Sequence, residues 1–317
     1  MKILVTPTSL QPGKNDAALV PLQEFADELV FNPTGKPLSE DELIPLLADC
    51  DGFVAGLDSI TAKVLRSCPN LKVISRYGAG YDRVDIETAK ELGIKVTNTP
   101  GVNAQAVGEL AFGLILAVAR KIPFLNAQTR NGAWVRSTGI ELKGKTLGIL
   151  GLGAIGKVVA TCAQGFGMHV LAYDPYINEE YCKNHQIESV SFEELMSRAN
   201  VVSLHLPLLE STHHLIDAKA ISLLPDHAII VNASRGGIID EDAAYEALKS
   251  GKLAGLGLDA FEVEPPTNSR LFEFDNVIAT PHTGAHTKEA TDNMANSSIR
   301  NLIDLLSGRD CPNIVNK

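Results

Sequence analysis

Short runs of β-branched and aliphatic residues alternate with amphipathic segments along most of this chain, and the alternation breaks off once before starting afresh. KILVTP, GFVAG, LKVISRYG and IKVTN read as strands; LVPLQEFADEL, a segment opened by the capping box Ser39–Glu42, TAKVLRSC and a stretch ending at Gly93 read as helices between them. Such an alternation predicts a parallel sheet covered on both faces. Residues 99–144 hold no clear strand: TPGVNAQAVGEL leads into an apolar helical stretch through Arg120, and polar sequence follows. The Pro100-Gly101 step stops the preceding strand and puts a domain boundary near Thr99. A second array begins at KTLGIL and continues through HVLAY, NVVSLHL, HAIIVN, LAGLGLD and NVIAT, a six-strand set with a second capping box at Ser191–Glu194. A helical pattern from Lys288 to Leu306 closes the chain. At about 150 residues per domain, 317 residues accommodate both arrays as separate domains.

Composition removes several classes of function. With 28 basic and 38 acidic side chains the net charge is −10, and no Lys/Arg run offsets it, so nucleic acid and anionic membranes are unfavoured partners. Five cysteines without a CxxC pair fit neither a disulfide framework nor a structural zinc site, and a reducing cytoplasm is the expectation. The apolar run in MKILVTPTSL is too short for a signal sequence, and Leu110–Ala119 is about half of a membrane span. His213-His214 with Asp217 is the one metal-like grouping; adjacent histidines are expected to point apart, and no third ligand has useful spacing, so no metal is expected.

The first turn of the second array carries the strongest motif. KTLGIL runs into Gly151-Leu152-Gly153-Ala154-Ile155-Gly156, and the apolar segment KVVATCAQGFG follows. In a strand–turn–helix of this kind the first glycine makes the turn, the second lets backbone approach a pyrophosphate, and the third lets helix and strand pack. Asp174, at the end of the next strand, is placed to accept hydrogen bonds from ribose hydroxyls and to repel a 2′-phosphate, which favours NAD over NADP. A solvated turn aspartate before Pro175 is the alternative reading.

Ligands of open α/β sheets bind outside the carboxyl ends of the strands. Those ends hold His205-Leu206-Pro207, Asn232-Ala233-Ser234-Arg235-Gly236-Gly237, Asp259 and Pro281-His282-Thr283-Gly284, with Glu262 and Glu264 in the loop after Asp259. One Arg, one carboxylate and one His beside a nicotinamide suit hydride transfer at a 2-hydroxy or 2-keto acid. Guanidinium can fork onto a carboxylate, and imidazole can carry the hydroxyl proton while a carboxylate on its other nitrogen fixes the tautomer. Composition does not separate Glu262 from Glu264.

The stretches RYGAGYDRVD (76–85), NTPGVNAQAVGEL (98–110), ELKGKTLGILGLGAIG (141–156), VVSLHLPL (201–208), NASRGGIIDEDA (232–243), GLDAFEVEPP (257–266) and TPHTGAHT (280–287) together resemble the D-isomer-specific 2-hydroxyacid dehydrogenases over essentially the whole chain. The resemblance implies two doubly wound parallel-sheet domains: a Rossmann NAD-binding domain (99–286) inserted into a flavodoxin-like substrate domain (1–98 plus 287–317). It implies Arg235, Glu264 and His282 as the catalytic residues. Tyr77, Gly78, Ala79 and Gly80, with Arg235 and His282, are implied on the substrate. NAD contacts are implied at Val107, Gly151, Gly153, Ala154, Ile155, Gly156, Asp174, His205, Pro207, Thr212, Ala233, Ser234, Arg235, Asp259 and Gly284. The helix from Val107 to Arg120 resembles the family's dimerisation helix and implies a homodimer, with a buried interdomain helix as its alternative. Overall likeness is to the 3-phosphoglycerate dehydrogenase branch, with hydroxypyruvate or glyoxylate reduction as the alternative. Where that branch often has Arg-Ser this chain has Leu57-Asp58, an acidic side chain that would oppose a dianion, while Arg76, Arg83 and Arg136 are left to recognise a phosphate. Ala154 departs from the Arg or Asn of many relatives. A dinucleotide-sensing corepressor on this fold would be expected to lose Arg, Glu or His, and all three are present.

Overall fold

The computed structural model describes residues 1–317. The chain begins with β1 (Lys2–Val5), α1 (Asp16–Phe25), β2 (Glu28–Phe31), α2 (Glu40–Leu47), β3 (Gly52–Ala55), α3 (Ala62–Arg66), β4 (Val73–Arg76), α4 (Ile86–Glu91) and β5 (Lys95–Thr97). A second run follows: α5 (Ala104–Ala119), α6 (Ile122–Arg130), β6 (Thr146–Leu150), α7 (Ala154–Gly165), β7 (His169–Tyr173), α8 (Glu179–Asn184), β8 (Glu188–Ser189), α9 (Phe192–Arg198), β9 (Val201–Leu204), α10 (Ala218–Leu223), β10 (Ala228–Asn232), α11 (Glu241–Lys249), β11 (Leu253–Leu258) and β12 (Val277–Ala279). Helix α12 (Lys288–Leu306) comes last. Two compact units result, Met1–Asn103 with Ala285–Lys317, and Ala104–Gly284.

The first unit is built on a five-stranded parallel sheet of order β2-β1-β3-β4-β5. β3 and β4 are buried throughout, as strands covered on both faces must be. One face packs Leu43, Leu47, Phe53, Ile74 and Val96 with α2, α3 and α4; the other packs Ile3, Val5, Leu19 and Leu22 with Ala295, Ile299 and Leu302 of α12. The last helix is therefore core to the first unit. The tail beyond it is also fastened: Val96 N donates to Asn316 Oδ1 at 2.9 Å, and Asn316 Nδ2 donates to the Ile94 carbonyl at 2.7 Å.

The second unit holds a seven-stranded parallel sheet of order β12-β11-β10-β9-β6-β7-β8. One strand exceeds the expected six. β8 has two residues, Glu188 and Ser189, paired with Leu171 and Ala172, and so short a polar edge leaves no apolar periodicity to read. β9 and β10 are wholly buried, and side-chain caps from Asp217 and Asp240 start the helices that flank them. Ten of the sixteen residues of α5 are buried, against β10, β11 and α7. No single helix is long and apolar enough to cross a membrane; α5 and α6 pass that test only as a pair bent by 64°.

Candidate active site

At the carboxyl edge of the second sheet, β6 ends in the glycine turn. Gly151 has φ +96°, and a Cβ on it would lie 2.7 Å from the His205 carbonyl oxygen; a Cβ on Gly156 would lie 2.2 Å from the Gly151 carbonyl oxygen. Both positions thus require glycine, one for conformation and one for helix–strand contact. Space over Gly153 is open, and no side chain caps α7, so its first N–H groups face that space unsatisfied by the protein. A bare helix N-terminus under an open glycine is what a pyrophosphate needs, and the turn fits NAD on that ground. Asp174 Oδ2 accepts from Leu152 N at 2.9 Å and its Oδ1 from Tyr176 N at 2.8 Å. The carboxylate therefore ties the turn to the end of β7, and each oxygen keeps a further lone pair.

The segment after β9 crosses this turn. His205 N donates to the Leu150 carbonyl at 2.8 Å, and its Nε2 lies 2.9 Å from Ser203 Oγ. Burial pushes the imidazole down to about 3, so it stays neutral, with Nδ1 buried and without a partner in the protein. Thr212 Oγ1 donates to the Pro207 carbonyl at 2.7 Å and accepts from Leu209 N at 2.8 Å, which rounds off the loop between them.

Asn232, 1 % exposed at the end of β10, builds the turn that presents Arg235. Its Oδ1 accepts from Ser234 N at 3.0 Å and Ser234 Oγ at 2.8 Å, and its Nδ2 donates to the Arg235 carbonyl at 2.7 Å. Arg235 Nη1 donates to the Ser234 carbonyl at 2.8 Å. Asp259 performs the matching task after β11. Buried to 2 %, it accepts from Thr280 Oγ1 at 2.6 Å and Thr283 N at 2.8 Å through Oδ1, and from Gly284 N at 2.8 Å through Oδ2. Val107 of α5 lies against Gly284, 3.4 Å from where its Cβ would be. Between these anchors His282 takes φ +51°, a conformation a non-glycine residue holds only when its surroundings fix it. Its Nδ1 faces Glu264 Oε1 at 2.9 Å, and that same oxygen accepts from Phe261 N at 3.3 Å. Glu264, rather than Glu262, is the carboxylate beside His282.

Glu262 turns elsewhere, its Oε1 2.9 Å from His214 Nε2. The rings of His213 and His214 do not point apart as expected; they stack with centroids 4.0 Å apart, because His214 adopts φ +49° and folds back over its neighbour.

In the first unit the expected substrate loop follows β4. Gly78 has φ +139°, and the carbonyls of Gly78, Ala79 and Gly80 accept from Thr99 N at 3.0 Å, Asn98 Nδ2 at 2.7 Å and Arg76 Nε at 3.2 Å. The loop is thus held from one side by its carbonyls. The Tyr77 phenol donates to the Thr291 carbonyl at 2.9 Å, and burial pushes it up to about 12. Two expectations fail here. Arg76 is 3 % exposed and donates Nη1 to the Ala55 carbonyl at 2.9 Å, so it shapes the loop from behind rather than meeting a phosphate. Asp58 is 1 % exposed and accepts from the Thr6 hydroxyl and, at 2.8 Å, from Leu38 N, a buried structural carboxylate rather than a repelling surface charge. Arg83 Nη1 reaches the Leu57 carbonyl at 3.4 Å, and Arg136 is exposed. Sequence reasoning placed Asn232 at the strand end without giving it a role and passed over Thr280; a polar residue ending an apolar strand was the available signal for both.

Residues 112–284 match the family described as D-isomer specific 2-hydroxyacid dehydrogenase, NAD binding domain. The chain is 43% identical over 320 residues to a D-3-phosphoglycerate dehydrogenase of Methanocaldococcus jannaschii, covering 100% of this chain and 59% of that one. It is 44% identical over 281 residues to a hydroxypyruvate reductase of Thermotoga maritima, covering 85% of this chain and 91% of that one. A D-lactate dehydrogenase of Aquifex aeolicus, solved with NAD and lactic acid, superposes with a TM-score of 0.86 at 28% identity over 99% of both chains. A glycine turn that fits NAD, an Arg/Glu/His edge on the same sheet and these likenesses converge: the chain belongs to the D-isomer-specific 2-hydroxyacid dehydrogenase family, NAD-dependent oxidoreductases acting on CH–OH donors.

Proposed function

We propose that this chain interconverts a small D-2-hydroxy acid and its 2-keto acid, with His282 as the proton carrier. The observation that carries the reading is the His282 Nδ1–Glu264 Oε1 contact of 2.9 Å in a loop fixed by Asp259. A carboxylate at Nδ1 keeps the proton on that nitrogen and so fixes the tautomer, leaving Nε2 to give a proton to the carbonyl oxygen in reduction and to take it back in oxidation. Arg235 holds the substrate carboxylate in a planar fork and polarises the adjacent carbonyl. Gly151–Gly156 and Asp174 would hold the pyrophosphate and ribose of NAD(H), with Val107, His205, Pro207, Thr212, Ala233, Ser234, Asp259 and Gly284 lining the remainder; once bound, the cofactor would supply or accept the hydride. The N–H groups of residues 78–80 are assigned to the substrate carboxylate.

Phosphohydroxypyruvate is expected from the likeness over the whole chain to the Methanocaldococcus jannaschii dehydrogenase. Hydroxypyruvate and glyoxylate are favoured instead by Arg76, whose guanidinium is spent on main-chain carbonyls. NADH oxidation against these three acids, pyruvate and bulkier 2-keto acids ranks them, and a repeat with NADPH tests Asp174. A corepressor that binds NADH and turns over none of them is the outcome that sinks the reading. We also propose a homodimer, supported by the groove between α5 and α6 lined by Leu116, Arg120, Ile122 and Leu125, and by Trp134 at 83 % exposure. A cytoplasmic location is supported by five free cysteines, two of which, Cys50 and Cys68, are pushed up to about 11 by burial and rest unreactive.

A further inference from the structure

One side-chain cluster outside the residues given roles above touches both loops that carry them. We propose that His214 and Glu262 form a clasp that sets the Arg235 turn and the Glu264 loop relative to each other, which makes both of them positioning residues for the reaction; this rests on the reading of Arg235, Glu264 and His282 just given. His214 grips the first loop with its backbone, donating N–H to the Gly237 carbonyl at 2.7 Å, and the second with its ring, whose Nε2 lies 2.9 Å from Glu262 Oε1. The stacked ring of His213 fixes the imidazole plane. Glu262 is tied in turn to the start of α11: Glu241 N donates to Glu262 Oε1 at 3.2 Å, and Glu262 N donates to Glu241 Oε1 at 2.9 Å.

The two loops are also in direct contact, because a Cβ on Gly236 would fall 1.8 Å from the Phe261 carbonyl oxygen. A shift of Phe261 and Glu262 therefore drags the Arg235 turn with it. Two residues further along, Glu264 faces His282. Phe261, 5 % exposed, anchors the start of the loop in the core, but Val263 is 71 % exposed, so beyond Phe261 the polar clasp is what holds Glu262 in place. Glu241 and Glu262 are like charges sharing two short contacts; burial, and then the Glu262 charge, push the Glu241 carboxyl up, and the His214 ring supplies the compensating donor. A half-exposed pair of this kind adds little to stability. Misplacing a catalytic group by about 1 Å lowers a rate by about 10²-fold, so the consequence of the clasp lies in geometry.

The pH profile of keto-acid reduction in His214→Ala, His214→Gln, Glu262→Ala and the double alanine variant, with His282→Ala alongside, tests the clasp. His214→Ala should lower kcat by about tenfold to a hundredfold and move the alkaline limb of the profile to lower pH, with KM for NADH and Tm near those of the parent. His214→Gln, which keeps an N–H donor for Glu262, should restore most of both. Glu262→Ala opens the clasp from the other side and should move the limb the same way, with the double variant no worse than the single ones. A limb that stays in place, shifts that add in the double variant, or a loss that follows Tm and is not rescued by glutamine would each overturn the clasp while leaving the catalytic reading intact. Parent-like turnover by His282→Ala would overturn the catalytic reading itself, and the clasp with it.

Discussion

His282 and Glu264 divide one task between them, and substitutions separate the shares. His282→Ala removes the proton carrier, so kcat for keto-acid reduction should fall by about 10² to 10⁴-fold while the dissociation constant for NADH, measured by fluorescence titration, stays near that of the parent. Glu264→Gln leaves the ring in place but takes away the charge at Nδ1. A neutral amide stabilises imidazolium less than a carboxylate, so the proton is lost at lower pH and the alkaline limb for reduction should move down, with little change in KM. A glutamine variant whose limb rose would reverse the assigned partner. The sequence brings Arg235, Glu264 and His282 to one sheet edge because each ends or follows an apolar strand. Composition and period do not separate Glu262 from Glu264, since neither residue in that irregular loop carries a strand or helix period; Glu264 was implied by the family resemblance alone, and the distances put Glu264 beside His282 and Glu262 beside His214. Asp259 shows the opposite limit. Its position was legible, whereas its hold on Thr280, Thr283 and Gly284 depends on a loop that returns 21 to 25 residues later.

Among the elements, two glycines of the same strand–turn–helix unit answer to different neighbours. Gly156 faces rigid backbone, the Gly151 carbonyl, and Gly148 in β6 faces the side chains of Leu195 and Ala199, 2.5 Å and 2.9 Å from where a Cβ would stand. Gly148→Ala should cost about 1–3 kcal/mol of stability through overpacking, read as a lower denaturation midpoint, and leave NADH affinity intact. Gly156→Ala must displace the turn itself, so NADH affinity should fall by at least tenfold in addition. Equal NADH affinities in the two variants would detach the turn from cofactor binding. Strands buried on both faces were readable as predominantly apolar runs, and α5 was readable from its long apolar stretch. β8 was not, because two polar residues pair only by virtue of the strand beside them.

At the scale of the whole molecule, the proposed homodimer predicts that Ile122→Glu with Leu125→Glu, both beside the groove on α6, lowers the mass in analytical ultracentrifugation to one chain and leaves the circular dichroism unchanged. An unchanged mass would place any association elsewhere. The first unit, for its part, is completed from both ends of the sequence, with Ala295, Ile299 and Leu302 of α12 filling one face of a sheet whose strands all precede residue 98. During synthesis that face is covered by α1 alone while the entire second unit is translated, since α12 leaves the ribosome after it. Nascent chains stalled with residue 284 clear of the exit tunnel should therefore show Ala104–Gly284 resistant to protease and Met1–Asn103 still cleaved, with resistance of the latter arriving only once α12 has emerged. The half of the protein that is made first is the half that finishes folding last, and its apolar sheet face is the surface a chaperone would meet in the interval.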